Sequence, residues 1–198
     1  DSTTIMQYNA NMRNLVMDKL VGAQMVVFNR LEKGADVMPF HKVARAANRR
    51  IDILYDYTDG TTEFDDIEDP LPFDINAQII EIKDEDYALW YRDMSEELPK
   101  YNGKKVKFKG IIANDPRLPK NSTIIGRHVM TCCVDDIQYS GMICVFKNEV
   151  KLKTRDWVTV KGTLKIEPHK LYRNQGPVLY VESTEFAVPP KQEVATFY

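Results

Sequence analysis

The sequence predicts a mainly β protein with helices at its N-terminus, in which a five-stranded barrel occupies roughly residues 101–188. Apolar residues recur every three to four positions between Ile5 and Leu31, a spacing typical of helices that pack against a core. Beyond residue 101 the sequence changes to five stretches in which apolar and polar residues alternate, as they do in half-buried strands. Two glycines at equivalent places in two of these stretches favour a closed barrel over a flat sheet.

The N-terminal part, residues 1–74, is interpreted as a helical segment followed by an acidic linker. One helix is expected within residues 5–31 and a second from about residue 39 to 54, where a proline suits the first turn. Residues 58–74 are acidic and contain a glycine and two prolines, which is typical of a loop or linker. We therefore expect a second domain over residues 75–198.

The second domain is predicted to open with a short strand at residues 79–82 and a helix at 84–98. Acidic residues in the first turn suit the helix dipole, and the helix should end before Pro99, because a residue that precedes proline avoids the helical conformation. Trp90 and Met94 fall on its apolar face, so we expect them to pack against the strands that follow.

Five strand candidates follow this helix, each with alternating apolar residues. They cover approximately residues 105–112, 124–134, 142–146, 158–166 and 179–182. A short charged stretch between the third and fourth strands, residues 148–155, predicts a single helical turn.

Gly110 and Gly162 occupy inward-facing positions of the first and fourth strands. An inward glycine allows a strand to coil sharply, which a small closed barrel requires and a flat sheet does not. Five strands with a helical connection after the third describe an OB-like barrel. A small antiparallel sandwich is the alternative, but the two glycines would have no role in it.

Composition excludes several classes of protein. The chain is 43% hydrophobic and 28% charged with a net charge of −2, so it is typical of a globular protein and carries no overall attraction for nucleic acid. Its longest apolar runs are only long enough for strands, and they fall short of a membrane span. Three cysteines do not make the framework of a disulfide-rich secreted scaffold.

Enzyme motifs are absent from the sequence. It contains no Gly-x-Ser-x-Gly elbow, no phosphate-binding loop, no Gly-x-Gly-x-x-Gly and no His-Glu-x-x-His. Its three histidines have no evident nucleophile to activate. We therefore expect a protein that has no catalytic residues and no cofactor.

The most distinctive local motif extends from Arg127 to Cys133. Because side chains alternate along a strand, Cys132 is predicted to face the core and Cys133 the opposite side. The apolar residues of the next strand place Cys144 on the same side as Cys133. A hairpin centred near residues 138–139 would then bring the sulfur atoms of Cys133 and Cys144 together.

Three interpretations of the cysteines remain open. All three are buried structural residues in the first, since cysteine is among the most buried residue types. The second is a disulfide between Cys133 and Cys144, which needs an oxidising compartment. The third is a soft-metal or redox site built on the same two sulfurs, but the spaced pairs of a zinc site are absent. His128 and Cys132 lie about 13 Å apart along a strand, so they cannot share one metal without a bulge.

A second cluster lies on the loop between the fourth and fifth strands, residues 167–176, and includes Lys170, Tyr172 and Arg173. In OB barrels this loop and the loop at residues 115–122 flank the usual binding face. Aromatic and basic residues together can stack bases and hold phosphates, so one possible function is an OB module that binds single-stranded nucleic acid. The alternative is a polar hairpin loop with no binding role.

The order of motifs from residue 79 to the end resembles the YcgQ family. The likeness is carried by Tyr101-Asn102-Gly103, Asp115-Pro116, Arg127 to Cys133, Gly141-Met142, Asp156-Trp157-Val158, Lys161-Gly162-Thr163-Leu164 and Val181-Glu182-Ser183. This resemblance implies an accessory subunit of a two-component permease whose polytopic partner is of the YcgR type. It also implies membrane spans that precede this chain and a C-terminal domain on the extracytoplasmic side of the cell membrane, where a nucleic acid would rarely be met.

The expected role is therefore binding or interaction without catalysis. The candidate ligand- or partner-binding residues are Arg127, His128, Cys133, Cys144, Lys170, Tyr172 and Arg173.

Overall fold

The computed structural model describes residues 1–131, 134–149 and 151–197, which form a mainly β fold with some helices, as predicted. The chain divides into two compact units. The N-terminal unit comprises Asp1–Pro70 with Thr131–Asp136, and the C-terminal unit comprises Leu71–Met130 with Ile137–Tyr198. Within the described residues, no helix is both long and apolar enough to cross a membrane.

The N-terminal unit is a small α/β arrangement. Its elements are α1 (Ser2–Asn11), α2 (Arg13–Val21), β1 (Met25–Leu31), α3 (Met38–Ala47), β2 (Asp52–Tyr57) and β3 (Thr62–Phe64). Strands β1 and β2 pair in parallel across α3, and β3 returns antiparallel to β2. The rings of Phe28, Phe40 and Tyr55 meet in its core, with centroid distances of 5.2 and 6.2 Å.

The predicted pair of long helices is therefore wrong in part. The helix expected over residues 5–31 stops at Val21, and the helix expected to reach residue 54 stops at Ala47. Each is followed by a strand, because Met25-Val26-Val27-Phe28 and Ile53-Leu54-Tyr55 are short runs rich in β-branched and aromatic residues that pair with one another. Short apolar runs of this kind satisfy helical and strand spacing equally well.

The C-terminal unit contains the helix and the five long strands that were predicted, together with two short strands. Its elements are β4 (Ile80–Glu81), α4 (Tyr87–Glu96), α5 (Leu98–Tyr101), β5 (Lys105–Ala113), β6 (Ser122–Met130), β7 (Gln138–Val145), β8 (Trp157–Pro168), β9 (Gln175–Phe186) and β10 (Ala195–Thr196).

The five long strands pair in a closed cycle. Strand β5 pairs with β6, β6 with β7, β7 with β9, β9 with β8, and β8 again with β5. All of these pairs are antiparallel except β7 with β9. Two short strands extend the cycle in parallel, β4 beside β5 and β10 beside β6.

Gly110 and Gly162 are buried on the inward face, as predicted. A Cβ atom on Gly110 would lie 2.8 Å from the side chain of Ile125 and 2.9 Å from the carbonyl oxygen of Gly126. A Cβ atom on Gly162 would collide with the carbonyl oxygen of Tyr180. Neighbouring backbones approach one another at these two points only because a side chain is missing.

Helix α4 packs its apolar face into the core of the C-terminal unit, as predicted. Trp90 and Met94 are fully buried, and the Trp90 ring lies 5.0 Å from that of Phe108 on β5. The expected inward residues of the fourth strand, Val158 and Val160, are also fully buried. The helix begins later than expected, at Tyr87, and the predicted helical turn is absent from the described residues of 148–155.

The predicted orientation of β6 and β7 is wrong. The core side of β6 carries Ile125, Arg127 and Val129, and the core side of β7 carries Met142 and Cys144. Both strands are turned by one residue relative to the prediction, so that Arg127, which was expected on the face away from the core, is buried. A shift of one residue reverses every side chain on a strand.

Candidate binding surface

Arg127 lies in the middle of β6 with its side chain only 1% exposed. Its Nη1 atom donates a hydrogen bond of 2.7 Å to the backbone carbonyl oxygen of Asp84, and Nη2 donates to the carbonyl oxygens of Gln192 (2.5 Å) and Glu193 (3.2 Å). The guanidinium also lies 3.6 Å from a carboxylate oxygen of Asp84. Burial lowers the pKa of Arg127, and the Asp84 carboxylate opposes that shift.

These contacts give Arg127 a structural role. It ties the chain just before α4 and the segment just before β10 to the centre of β6, and both Nη atoms are used in doing so. These bonds use three of the five N–H donors of the guanidinium, and the buried Nε has no hydrogen-bond partner among the described residues.

A cavity of about 510 Å³ lies beside Arg127. Asp84 and Glu85 line it on the side of α4, and Lys191, Gln192 and Thr196 line it on the side of the C-terminal segment. Glu85 and Lys191 are exposed, so their charges are the ones that a ligand entering this cavity would meet. The two charges are opposite, so the cavity has no strong preference for ions of one sign.

His128 points away from Arg127, because adjacent residues of a strand face opposite sides. It is exposed and stands edge-on to the ring of Tyr139 directly across β7, at a centroid distance of 5.5 Å. The Tyr139 hydroxyl donates a 2.8 Å hydrogen bond to the carbonyl oxygen of Ile111, and burial raises the pKa of Tyr139. His128 thus presents an accessible imidazole, which lies against the hydrogen-bonded ring of Tyr139.

Lys170, Tyr172 and Arg173 lie together on the turn between β8 and β9, as predicted. Lys170 and Arg173 are exposed, but Tyr172 is half-buried and folded back over Gly176. The Tyr172 hydroxyl donates a 2.7 Å hydrogen bond to the carbonyl oxygen of Pro177, and burial raises the pKa of Tyr172. Tyr172 therefore shapes the turn, and its ring is not presented for stacking.

The β5–β6 loop contributes a tightly paired aspartate and arginine. Asp115 accepts a bidentate contact from Arg117, through Nε at 2.9 Å and Nη2 at 2.5 Å. The Arg117 guanidinium lowers the pKa of Asp115 to about 2, and the charge of Lys170 contributes to the same shift. The effect of Lys170 shows that the two predicted loops lie near one another. A second cavity of about 250 Å³, lined in part by Asp115 and Lys120, opens at this loop.

Of the three cysteines, Cys144 lies among the described residues. Cys144 is fully buried in the core, and burial raises the pKa of its thiol, so it is neither exposed nor ionised. Cys144 lies opposite Thr123 of β6. The predicted register, which centred the hairpin near residues 138–139, is therefore wrong. Cys132 and Cys133 lie outside the described residues, so the predicted pairing of Cys133 with Cys144 and the predicted burial of Cys132 stay predictions. No group of three or more metal-ligating side chains occurs among the residues that the structure describes.

The structure thus brings Lys170 and Arg173 together at one end of the C-terminal unit. Arg127 and His128 lie on opposite faces of β6. Sequence reasoning missed the contacts of Arg127 with Asp84 and with the C-terminal segment, which lie 43 and 65 residues away along the chain. No spacing rule joins residues so distant. The available signal was Arg127 on the same face of the strand as the apolar residues Ile125 and Val129.

Comparison with known families gives one match that covers most of the chain. The model of the family described as DUF1980 C-terminal domain matches residues 59–194. The matched region contains all seven candidate residues and the whole cycle of five strands.

Two curated relatives show weaker similarity. The chain is 24% identical over 102 residues to UPF0703 protein YcgQ of Bacillus subtilis (strain 168), covering 52% of this chain and 36% of that protein. It is 28% identical over 91 residues to a Streptococcus mutans protein named "Putative two-component membrane permease complex subunit", covering 46% of this chain and 33% of that protein. The matches thus span about a third of each relative's length, and they confirm the predicted resemblance to the YcgQ family.

Two solved structures show a distant likeness. A small single-stranded DNA-binding protein from Streptomyces coelicolor matches 46% of this chain and 98% of its own at 12% identity and a TM-score of 0.30. Aspartyl tRNA synthetase from Entamoeba histolytica matches 48% of this chain and 22% of its own at 12% identity and a TM-score of 0.29. Likeness at these scores carries no argument about function.

Proposed function

Because the chain belongs to the DUF1980 C-terminal domain family, we propose that it forms part of an accessory subunit of a two-component permease complex at the cell membrane. The observation that carries this proposal is the 28% identity with the relative named as a permease complex subunit. The proposed role of the chain is to bind a partner or ligand, without catalysis.

The C-terminal unit is proposed to be an OB-like barrel. Support comes from the strand order β5-β6-β7-β9-β8 with a final pairing of β8 to β5, and from the inward glycines at positions 110 and 162. OB barrels are five-stranded and bind their ligands through one strand face and two loops. The β5–β6 loop and the β8–β9 turn take the corresponding places here.

The proposed contact surface is the end of the C-terminal unit where Lys170 and Arg173 are exposed. Arg117 is paired with Asp115, so Lys120, Lys170 and Arg173 are three exposed cations at this end, and they outnumber Glu149, the exposed carboxylate beside Lys120. A basic end favours an acidic segment of the partner, because charge complementarity speeds association and fixes orientation.

The test is co-purification from membranes. The native gene product with an affinity tag is extracted in mild detergent, and we expect a polytopic protein of the YcgR type to be recovered with it. The double variant Lys170→Glu/Arg173→Glu should recover at least about tenfold less partner. The matched control Lys19→Glu/Lys42→Glu reverses two exposed charges of the N-terminal unit and should recover as much as the unaltered protein. Recovery of the tagged protein alone would contradict the proposal.

The proposed extracytoplasmic location is tested separately by fusing alkaline phosphatase to the C-terminal end. This enzyme needs disulfides, so it is active only outside the cytoplasm. If the phosphatase fusion is inactive and a cytoplasmic reporter at the same position is active, the C-terminal end lies in the cytoplasm. That result would contradict the proposed orientation but not the proposed partnership.

A second candidate function is binding of single-stranded nucleic acid through the same two loops. The proximity of Lys170 to the β5–β6 loop favours it, whereas the inward-folded ring of Tyr172 weighs against it. Oligonucleotide titration at low and high salt separates the two functions, because binding through the phosphate backbone weakens steeply as salt rises. Tight, salt-sensitive binding that Lys170→Glu/Arg173→Glu abolishes would favour this second function.

A further inference from the structure

The cavity beside Arg127 in the C-terminal unit has the size of a small-molecule site. Its volume of about 510 Å³ lies within the range that is usual for ligand pockets, about 300–1,000 Å³. Its walls come from the residues just before α4, from the middle of β6 and from the segment that leads into β10. It shares no residue with the proposed contact surface at Lys170 and Arg173, so a ligand bound here does not depend on the permease partnership.

Arg127 provides positive charge at the inner end of this cavity. Its side chain is 1% exposed, and its buried Nε atom has no hydrogen-bond partner among the described residues. The Asp84 carboxylate lies 3.6 Å from the guanidinium but only 2.7 Å from Nζ of Lys109, so its closer pair is with the lysine. Arg127 therefore has a donor without an acceptor and shares its nearest carboxylate. An anionic oxygen supplied by a ligand would compensate for both.

The outer end of the cavity carries charges of both signs. Glu85 and Lys191 line it and are exposed. A ligand with negative charge alone would be repelled by Glu85 and by its neighbour Asp84. A ligand with positive charge alone would be repelled by Arg127 and Lys191. A ligand that carries one charge of each sign can place each beside its opposite, which is the electrostatic complementarity that selects a ligand.

We propose that this cavity binds a free α-amino acid, with its carboxylate towards Arg127 and its ammonium group towards Asp84 and Glu85. A single carbon atom joins the two charged groups of an α-amino acid, so its site needs a cation and an anion close together. The 3.6 Å between Arg127 and Asp84 meets that requirement. Contacts between charged groups of this kind are the strong class of hydrogen bond. Pro190 and Ala195, the apolar residues of the cavity, leave room for a side chain.

The test is ¹H–¹⁵N NMR of the whole chain, titrated with each standard L-amino acid separately. The signals to follow are the Nε–H of Arg127 and the backbone amides of Glu85, Gln192 and Ala195. We expect at least one amino acid to shift these signals together and to saturate. The Nε–H signal should move to higher frequency, because the proton gains an acceptor. Failure of every amino acid to produce a saturable shift would overturn the proposal, and the permease partnership would be unaffected.

Two analogues of the best-binding amino acid test its two charges. The deamino analogue keeps the carboxylate but lacks the ammonium group, and the amide keeps the ammonium group but lacks the carboxylate. Each should bind at least about tenfold more weakly than the amino acid, because each loses one charge-assisted contact. An analogue that binds as tightly as the amino acid would also overturn the proposal, since the cavity would then recognise one charge alone.

Glu85→Gln is the decisive variant. It removes a negative charge from an exposed residue and keeps the size of the side chain, so the fold should not change. The amino acid should bind about tenfold more weakly to this variant, whereas the deamino analogue, which has no ammonium group, should bind no more weakly. The matched control is Glu185→Gln, an exposed position on β9 outside the cavity, which should bind both as the unaltered protein does. Equal weakening of both ligands by Glu85→Gln would overturn the proposal.

Discussion

Arg127 donates a hydrogen bond of 2.7 Å to the backbone of Asp84, a residue that precedes it by 43 positions, and the same guanidinium holds Gln192 on the other side. One side chain in the middle of a strand thus fastens two segments, which are also held by the ion pair of Lys109 with Asp84 and by the pairing of β10 with β6. The predictions that follow begin from this contact.

Replacement of Arg127 by methionine should destabilise the C-terminal unit by about 3 kcal/mol. The replacement has similar volume but no donors, so three carbonyl oxygens lose their partner. Lysine should recover part of the loss, because it restores the charge without the forked geometry. Urea unfolding followed by tryptophan fluorescence reports this unit, since both tryptophans, Trp90 and Trp157, belong to it. An exposed control, Arg173→Met, should change the unfolding free energy by less than about 0.5 kcal/mol.

Alanine at Gly126 or Gly162 should cost about 1–3 kcal/mol of unfolding free energy. The new methyl group would collide with backbone atoms of Ser140 in the first case and of Tyr180 in the second, and backbone atoms cannot move aside cheaply. Gly22→Ala is the matched control, because no atom lies within 4 Å of the added methyl group and the φ angle of −97° suits alanine. Thermal unfolding monitored by circular dichroism should give similar melting curves for Gly22→Ala and the unaltered protein. Comparable losses in all three variants would show that the close approach of strands is not the cause.

The Cys144 thiol should be unreactive in the folded protein. In a variant with serine at positions 132 and 133, Ellman's reagent at pH 8 should titrate no thiol until denaturant is added, and then one. Burial raises the pKa of this thiol, so the folded state holds the proton more tightly than the unfolded state. The resulting stabilisation is complete below the ordinary thiol pKa of 9.0 and is lost as the pH rises above it. Rapid reaction before denaturation would place Cys144 at the surface.

Asp115 should titrate near pH 2, as observed through the chemical shift of its carboxyl carbon. The Arg117 guanidinium is the main cause, so Arg117→Ala should return the pKa towards the ordinary value of 3.8. Lys170→Ala should produce a smaller rise, since Lys170 acts only at longer range. Because the folded-state pKa is lowered, the contact is complete above the ordinary pKa and is lost as the pH falls through 2. An unchanged pKa in Arg117→Ala would mean that the bidentate pair does not persist in solution.

The sequence predicted the five long strands and the inward glycines because both depend on local patterns. Alternation locates a strand, and a glycine among inward residues marks a place where another backbone comes close. Helix α4 and the alternation in β8 followed from the same local rules. What failed was the assignment of β1 to β3, which were expected to be helix or linker, and the assignment of faces on β6 and β7.

The faces of β6 and β7 were assigned from their apolar residues. On β6 this assignment placed Cys132 inside and Arg127 outside. Burial of an arginine is tolerable only when several acceptors surround it, and here the acceptors come from residues 84, 192 and 193. Acceptors that distant in sequence leave no trace in local spacing. The contacts of His41 with Asp65 and Asp69 escaped prediction for the same reason.

The pairing of β5 bears on how the protein is synthesised. β5 makes three residue pairs with β6, its nearest neighbour in sequence, but seven with β8, which the ribosome produces some forty residues later. Until β8 has left the exit tunnel, most of the β5 backbone has no strand to bond and stays open to other chains. Pairings between distant segments form slowly and leave a nascent chain prone to aggregation. The lysines that alternate along β5, at positions 105, 107 and 109, put positive charge on this open edge during translation and so discourage premature association.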